Sequence, residues 1–308
     1  MPDVLGSALE LVSAWAGRPV TCTRLKGGLS HQILRVETGQ GDRWLLRVLD
    51  PEVSAAGLGI PLDLEIVNTV RAAGTGVGAQ VLLRLPGAVL LEYIDGVTLD
   101  ASAVRDPAMA PHVAEACRRL HSGPRFATDF SIFRKLEELL GLCRAHELKI
   151  PEGYEDRLPV VAEIEAAMDA RPAPTVPCHN DLLPANLIFD GRRVRIVDYQ
   201  LSGNNDPAFE LGDIAAEADY DAEMAGRLTS AYFGDETPAA RVQLYLIMSN
   251  LTWTLWFSVH HGLLAEHAAA ADFDYDAEAA AKFAKATRDL DDPGFGRLID
   301  DVRGRRRL

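Results

Sequence analysis

Nowhere in this chain do two cysteines stand close enough to form a metal knuckle or a redox pair. Cys22, Cys117, Cys143 and Cys178 are scattered, so free thiols of a reducing cytosol are expected. Basic charge is scarce: 31 Lys and Arg face 45 Asp and Glu, for a net charge of −14. That balance argues against nucleic-acid binding and suits either a cationic ligand or plain solubility. The N-terminus, Met1-Pro2-Asp3-Val4, has no basic, apolar leader, so no signal peptide and a cytoplasmic location are expected. Repeats are absent, and the one biased tract, the alanine-rich 265–271, is expected to be helical. Residues 242–265 run for 24 positions without Asp, Glu, Lys or Arg. The run is long enough to span a bilayer. Its Ser249, Asn250, Thr252, Thr254 and Ser258 instead suit a helix buried in protein, and no membrane insertion is expected. With 308 residues, 48% hydrophobic and 25% charged, the chain can bury one large core or two smaller ones.

The first third reads as β-rich. A helix with Leu5, Leu9, Val12 and Trp15 at helical spacing leads into short strand-like runs at 20–25, 33–37 and 44–49. Lys26-Gly27-Gly28-Leu29-Ser30 joins the first two runs. A strand–glycine turn–strand unit can lay backbone N–H groups over phosphates, although glycine pairs also make ordinary hairpins and the full G-x-G-x-x-G is missing. Pro61 opens a helix over 62–73, and two more strands are expected at 79–83 and 88–93. From Pro107 onward helices dominate, at 109–121, 130–146 and 154–170. Arg171-Pro172-Ala173-Pro174 is a linker. Later helices are expected from Thr237-Pro238 and over 276–290, with a basic tip at Arg303, Arg305, Arg306 and Arg307.

The chemistry concentrates in Cys178-His179-Asn180-Asp181-Leu182-Leu183-Pro184-Ala185-Asn186 and in Val197-Asp198-Tyr199-Gln200. Phosphoryl transfer needs a carboxylate beside the attacking hydroxyl and hard oxygen ligands for Mg²⁺ beside the nucleotide phosphates. His-x-Asp-x₄-Asn on a loop, followed by a hairpin that delivers a second Asp, supplies both within a short stretch.

These residues resemble the catalytic core of the kinase-like phosphotransferases, the superfamily of protein kinases and aminoglycoside phosphotransferases. Together with Phe209-Glu210-Leu211-Gly212-Asp213 and Glu217, they look most like the choline/ethanolamine kinase family. No long activation segment follows Asp198, which separates the chain from protein kinases. The resemblance implies an α+β, protein-kinase-like two-lobe fold. Residues 1–96 would form an antiparallel β-sheet lobe with one or two helices, ending at a hinge. Residues 97–308 would form a larger, mainly helical lobe. It implies ATP and Mg²⁺ as cofactors, Asp181 as the base or orienting group, and Asn186 and Asp198 as metal ligands. Gly27, Gly28, Ser30 and Arg47 would contact phosphates, with Glu65 as partner of Arg47 and Glu92 and Ile94 in the hinge. On its residue type alone Arg47 also fits a surface residue of an edge strand. His179, Glu210 and Asp213 would be scaffold for the catalytic loop.

For the acceptor, the resemblance places Glu217 near a substrate amine, Tyr220 near its aromatics, and Trp253 and Trp256 along the pocket. On the residues alone, Glu217 and Tyr220 also fit a solvated helix, and two Trp at i and i+3 fit a core. Indole faces hold a quaternary ammonium by cation–π attraction. The expected activity is transfer of the ATP γ-phosphate to a small cationic alcohol such as choline or ethanolamine. The alternatives are an aminoglycoside or other hydroxylated metabolite as acceptor, or a non-catalytic nucleotide-binding protein of the same fold.

Overall fold

The computed structural model describes residues 4–25, 30–264 and 273–304. Helix α1 (Val4–Ala16) precedes strands β1 (Val20–Arg24), β2 (Gln32–Thr38) and β3 (Arg43–Val48). Short helix α2 (Pro51–Ala55) and helix α3 (Leu62–Gly74) follow, then β4 (Val81–Leu85) and β5 (Ala88–Glu92). The five strands form one antiparallel sheet in the order β1-β2-β3-β5-β4. Alternation of side chains sorts its two faces. Leu34, Val36, Leu46 and Leu90 pack against Ala8 and Val12 of α1. Arg47, next to Leu46 on β3, therefore points the other way, toward α3. At Pro86-Gly87 the chain turns with Gly87 at φ 69°, a left-handed value that glycine adopts without steric cost.

After β6 (Val97–Thr98) the chain is mainly helical, with α4 (Ala101–Arg105), α5 (Ala110–His121), α6 (Ile132–Ala145) and α7 (Leu158–Asp169). Four three-residue strands then frame the catalytic stretch: β7 (Val176–Cys178), β8 (Leu187–Phe189), β9 (Val194–Ile196) and β10 (Gly203–Asn205). β8 pairs with both β6 and β9, and β7 pairs with β10, all antiparallel. The remaining helices are α8 (Pro207–Glu217), α9 (Ala222–Phe233), α10 (Ala239–Leu264), α11 (Tyr275–Leu290) and α12 (Phe295–Arg303).

The uncharged run is α10, buried on nearly every side among α6, α8 and α11. No helix among the described residues is long and apolar enough to cross a membrane. Gly212 lets α8 approach α10 closely: a Cβ there would stand 2.7 Å from the Val242 carbonyl oxygen. The alanine-rich stretch, the glycine pair Gly27-Gly28, and Arg305 to Arg307 lie outside the described residues. The expected 154–170 helix is instead a 3-10 turn at Glu155–Arg157 followed by α7, with Pro159 in its first turn.

Candidate active site

The loop after β7 carries Asp181, a 3-10 turn at Pro184–Asn186 carries Asn186, and the β8–β9 hairpin delivers Asp198. All three line one cavity of about 580 Å³ between the sheet and the helices. Two left-handed residues shape it, Asn180 at φ 65° and Asp198 at φ 70°. Asn and Asp tolerate that region better than other side chains. Asn180 is further held by its Nδ2, which donates to the Leu201 carbonyl (3.0 Å), and by its Oδ1, which accepts from Asn205 (3.0 Å).

Two carboxylates one turn apart on α8 clamp the loop from behind. Glu210 accepts from the His179 N–H (2.7 Å) and the Asn180 N–H (2.9 Å). Asp213 accepts from the Leu182 N–H (2.7 Å), Ser249 Oγ (2.8 Å) and Trp253 Nε1 (2.8 Å). Burial would push Glu210 up, but His121, His179 and the Asn180 N–H hold it below the ordinary carboxylate range. Burial and the Glu217 charge push Asp213 up to about 7, against its three donors. His179 is scaffold too. Its Nδ1 accepts from the Asp181 N–H (3.2 Å), which leaves Nε2 to donate to the Val197 carbonyl (2.9 Å).

Asp181 itself faces the cavity, and the Asn186 side-chain amide donates to its carbonyl oxygen at 2.9 Å. Burial raises the Asp181 carboxyl well above its ordinary value, helped by Asp213, Asp198 and Glu217 and opposed by Lys282. A raised pKa makes it a better proton acceptor for an alcohol.

On the sheet side, buried Arg47 bridges Glu65 and Asp198, at 2.6 Å to each. Burial alone would raise Asp198, yet Arg47, His31 and His179 hold it below the ordinary range. Glu65, deeper still, is pushed up to about 7 by burial, against Arg47. Only one of its oxygens meets Arg47. The other faces His31 Nε2 at 3.9 Å, and neither of those two atoms has a hydrogen-bond partner among the described residues. Ser30 lines the cavity and accepts from Gln200 Nε2 at 3.3 Å. Glu92 and Ile94 line it as well. The Glu92 carboxylate is engaged by Arg195 (3.0 Å) and the Gln80 N–H (3.0 Å).

His31 gives this region a pH dependence. Its Nδ1 accepts from the Asp50 N–H at 3.0 Å, and burial, with Arg47, lowers its pKa to about 3. A folded pKa below the unfolded value means stability present above pH 6.5 is lost as pH falls. Glu65, shifted the other way, gains stability as pH falls from about 7, so the informative quantity is a difference between proteins. In urea unfolding, wild type should lose about 2 kcal/mol more than His31→Gln between about pH 7.5 and about pH 5. Equal losses would contradict the burial of a neutral imidazole.

At the far end of the cavity the walls are Trp253, Trp256, Phe257 and Phe273, with Glu217 and Glu278. Trp253 and Trp256 face it together from α10, and the Trp256 N–H donates to the Leu58 carbonyl at 3.4 Å. The expectation for Tyr220 is not met. The chain leaves α8 through Asp219 at φ 55°, which turns Tyr220 away from this cavity. Its hydroxyl donates to the Val104 carbonyl at 2.7 Å, and its ring lines a separate cavity of about 500 Å³. Glu217 lines the expected cavity but is ion-paired to Lys282 at 2.6 Å, both side chains buried.

The profile of the phosphotransferase enzyme family matches residues 21–243. The chain belongs to that family. Protein LicA of Haemophilus influenzae is 28% identical over 256 residues, covering 77% of this chain and 73% of that one. A choline/ethanolamine kinase family protein from Mesorhizobium loti superposes with a TM-score of 0.82 at 30% identity, over 98% of this chain and 99% of that one. The choline kinase LicA from Streptococcus pneumoniae gives 0.77 at 21% identity, over 92% and 97% of the two chains, which shows the fold alone. The protein is a phosphotransferase with an alcohol group as acceptor.

Several residues of this phosphotransferase site escape sequence reasoning. Arg195 ties β9 to the loop before β4 through the Val77 (3.0 Å) and Gly78 (2.8 Å) carbonyls as well as Glu92. Gln200 links Arg47 to Ser30. Lys282 and Glu278 reach the site from α11. Lys282 does leave a trace in the sequence, because it occupies the buried stripe of Tyr275, Ala279, Ala286 and Leu290.

Proposed function

We propose that this phosphotransferase moves the γ-phosphoryl group of ATP to the hydroxyl of a small amino alcohol such as choline or ethanolamine. The observation that carries the proposal is one continuous cavity. Ser30, Ile94 and Asp198 stand toward the sheet, Asp181 in the middle, and two indoles at the far end. In this reading residues 1–96 hold the nucleotide and 97–308 hold the acceptor. Arg47, whose two Nη groups are held by Glu65 and Asp198, would set a permanent positive charge behind the phosphate end of the cavity. The Ile94 N–H and the backbone around Glu92 receive the adenine edge. Asp181 orients the acceptor hydroxyl and takes its proton as the phosphoryl group transfers.

The donor set fits Mg²⁺. Asn186 spends its amide N–H on the Asp181 carbonyl, which leaves Oδ1 as a hard oxygen ligand. Asp198 engages Arg47 through Oδ1, which leaves Oδ2. Asn186 Oδ1 and Asp198 Oδ2 would hold the ion, which would supply positive charge to offset that of the phosphate oxygens.

Trp253 and Trp256 present ring faces to the cation of the acceptor. Replacing both by Ala should raise the amino alcohol KM about thirtyfold, the equivalent of about 2 kcal/mol of desolvated cation–π attraction. The KM for ATP should not move. An unchanged acceptor KM would remove the aromatic cage and turn attention to hydroxylated acceptors without a compact cation.

A further inference from the structure

We infer that Glu278 is the carboxylate that reads the positive end of the acceptor, and that this end is an ammonium bearing N–H groups rather than a quaternary one. The inference rests on the amino alcohol reading above and names the subclass of acceptor within it.

The acceptor end of the cavity is rich in carboxylates, but most are committed. Asp213 lies behind the wall and satisfies three donors. Glu217 lines the cavity, yet Lys282 holds it at 2.6 Å with both groups buried. Asp181 belongs to the hydroxyl. Glu278 lines the same cavity, and its carboxylate has no ion pair or hydrogen bond among the described residues.

The geometry of α11 makes that freedom informative. Glu278 and Lys282 stand at i and i+4, with the acid toward the N-terminus, the order in which such a pair forms best on a helix. Lys282 reaches across to Glu217 instead. One cation therefore neutralises one of the two acids, and a single negative charge remains for the ligand. The aromatic walls add no competing polar group, because both indole N–H groups point elsewhere, to Asp213 and to the Leu58 carbonyl.

The two kinds of cation use such a wall differently. A quaternary ammonium has no N–H and is held by ring faces. An ammonium with N–H groups gains a charge-assisted hydrogen bond from a carboxylate, roughly twice the strength of a neutral one. A free carboxylate beside the rings favours the second.

The test compares acceptors and variants by ADP release. For wild type, kcat/KM along ethanolamine, its N-methyl and N,N-dimethyl derivatives and choline should fall most at the last methylation, where the last N–H is lost. Glu278→Gln should raise the ethanolamine KM about tenfold, the loss expected for a hydrogen bond to a charged group, with kcat little changed and the choline KM nearly constant. The ATP-induced rise in melting temperature, measured on both proteins, establishes that the variant is folded and binds nucleotide. Wild type preferring choline would overturn the N–H claim without any variant. Equal effects of Glu278→Gln on both acceptors, or none, would overturn the role of Glu278 while leaving the amino alcohol reading standing. Turnover on no member of the series would reject that reading, and this inference with it.

Discussion

Asp181→Asn lowers kcat with an amino alcohol acceptor by about 10²- to 10⁴-fold, the span usually lost with a general base. The fold should survive, because the contact that ties this residue to Asn186 uses the Asp181 backbone carbonyl, not its side chain. Stability at neutral pH should even rise. The Asp181 carboxyl is raised well above its ordinary value by burial and by three acidic neighbours, so its charged form opposes folding. A neutral amide removes that opposition, the familiar exchange of stability for activity at a working site. Paired measurements of kcat and melting temperature check both halves. Loss of activity accompanied by a lower melting temperature would mean that Asp181 holds the loop together rather than acting on the substrate.

Glu210→Ala has the opposite signature. Its carboxylate is the acceptor for two buried backbone N–H groups, those of His179 and Asn180. It also lies 3.6 Å from His121 Nε2. Orphaning two buried donors should cost about 2 to 6 kcal/mol in urea unfolding. Activity should be lost through displacement of Asp181, with both KM and kcat affected. Glu210→Gln, which keeps one acceptor oxygen, should fall between wild type and Glu210→Ala. A stable but inactive Glu210→Ala would place Glu210 in the chemistry and not in the scaffold.

The two variants differ for a reason already visible in the sequence. The spacing of Asp181, Asn186 and Asp198 is set by a tight loop and a hairpin, both local structures, so the residues that must meet are close in the chain. Strands β1 to β3 are legible on the same ground, since short β-prone runs separated by turn residues are local features. The length and uncharged composition of 242–265 marked α10 as a buried helix because a helix wrapped in protein can afford apolar residues on every side.

What could not be read depends on long-range geometry. The resemblance placed Tyr220 near the acceptor's aromatics, but α8 has already ended and Asp219 turns the backbone through a left-handed conformation. Nothing in residue type announces that turn. Helices α2, α4 and α9 begin on Asp50, Asp100 and Asp221, each accepting from an N–H two or three residues on. Aspartates that cap helices and aspartates in ordinary turns read alike. The partner of Glu217 lies 65 positions away on another helix. The anomaly of a lysine on an apolar stripe was there to be seen, yet it names no partner.

The most direct test is steady-state ADP release by wild type with ATP and Mg²⁺, using ethanolamine, choline and an aminoglycoside panel as acceptors and Asp181→Asn as the blank. Turnover on an amino alcohol, dependent on Mg²⁺ and abolished in the blank, is the expected result. Turnover confined to aminoglycosides would keep the phosphotransfer chemistry and contradict the amino alcohol assignment. ADP release on amino alcohols that persists undiminished in Asp181→Asn would contradict the catalytic role of Asp181.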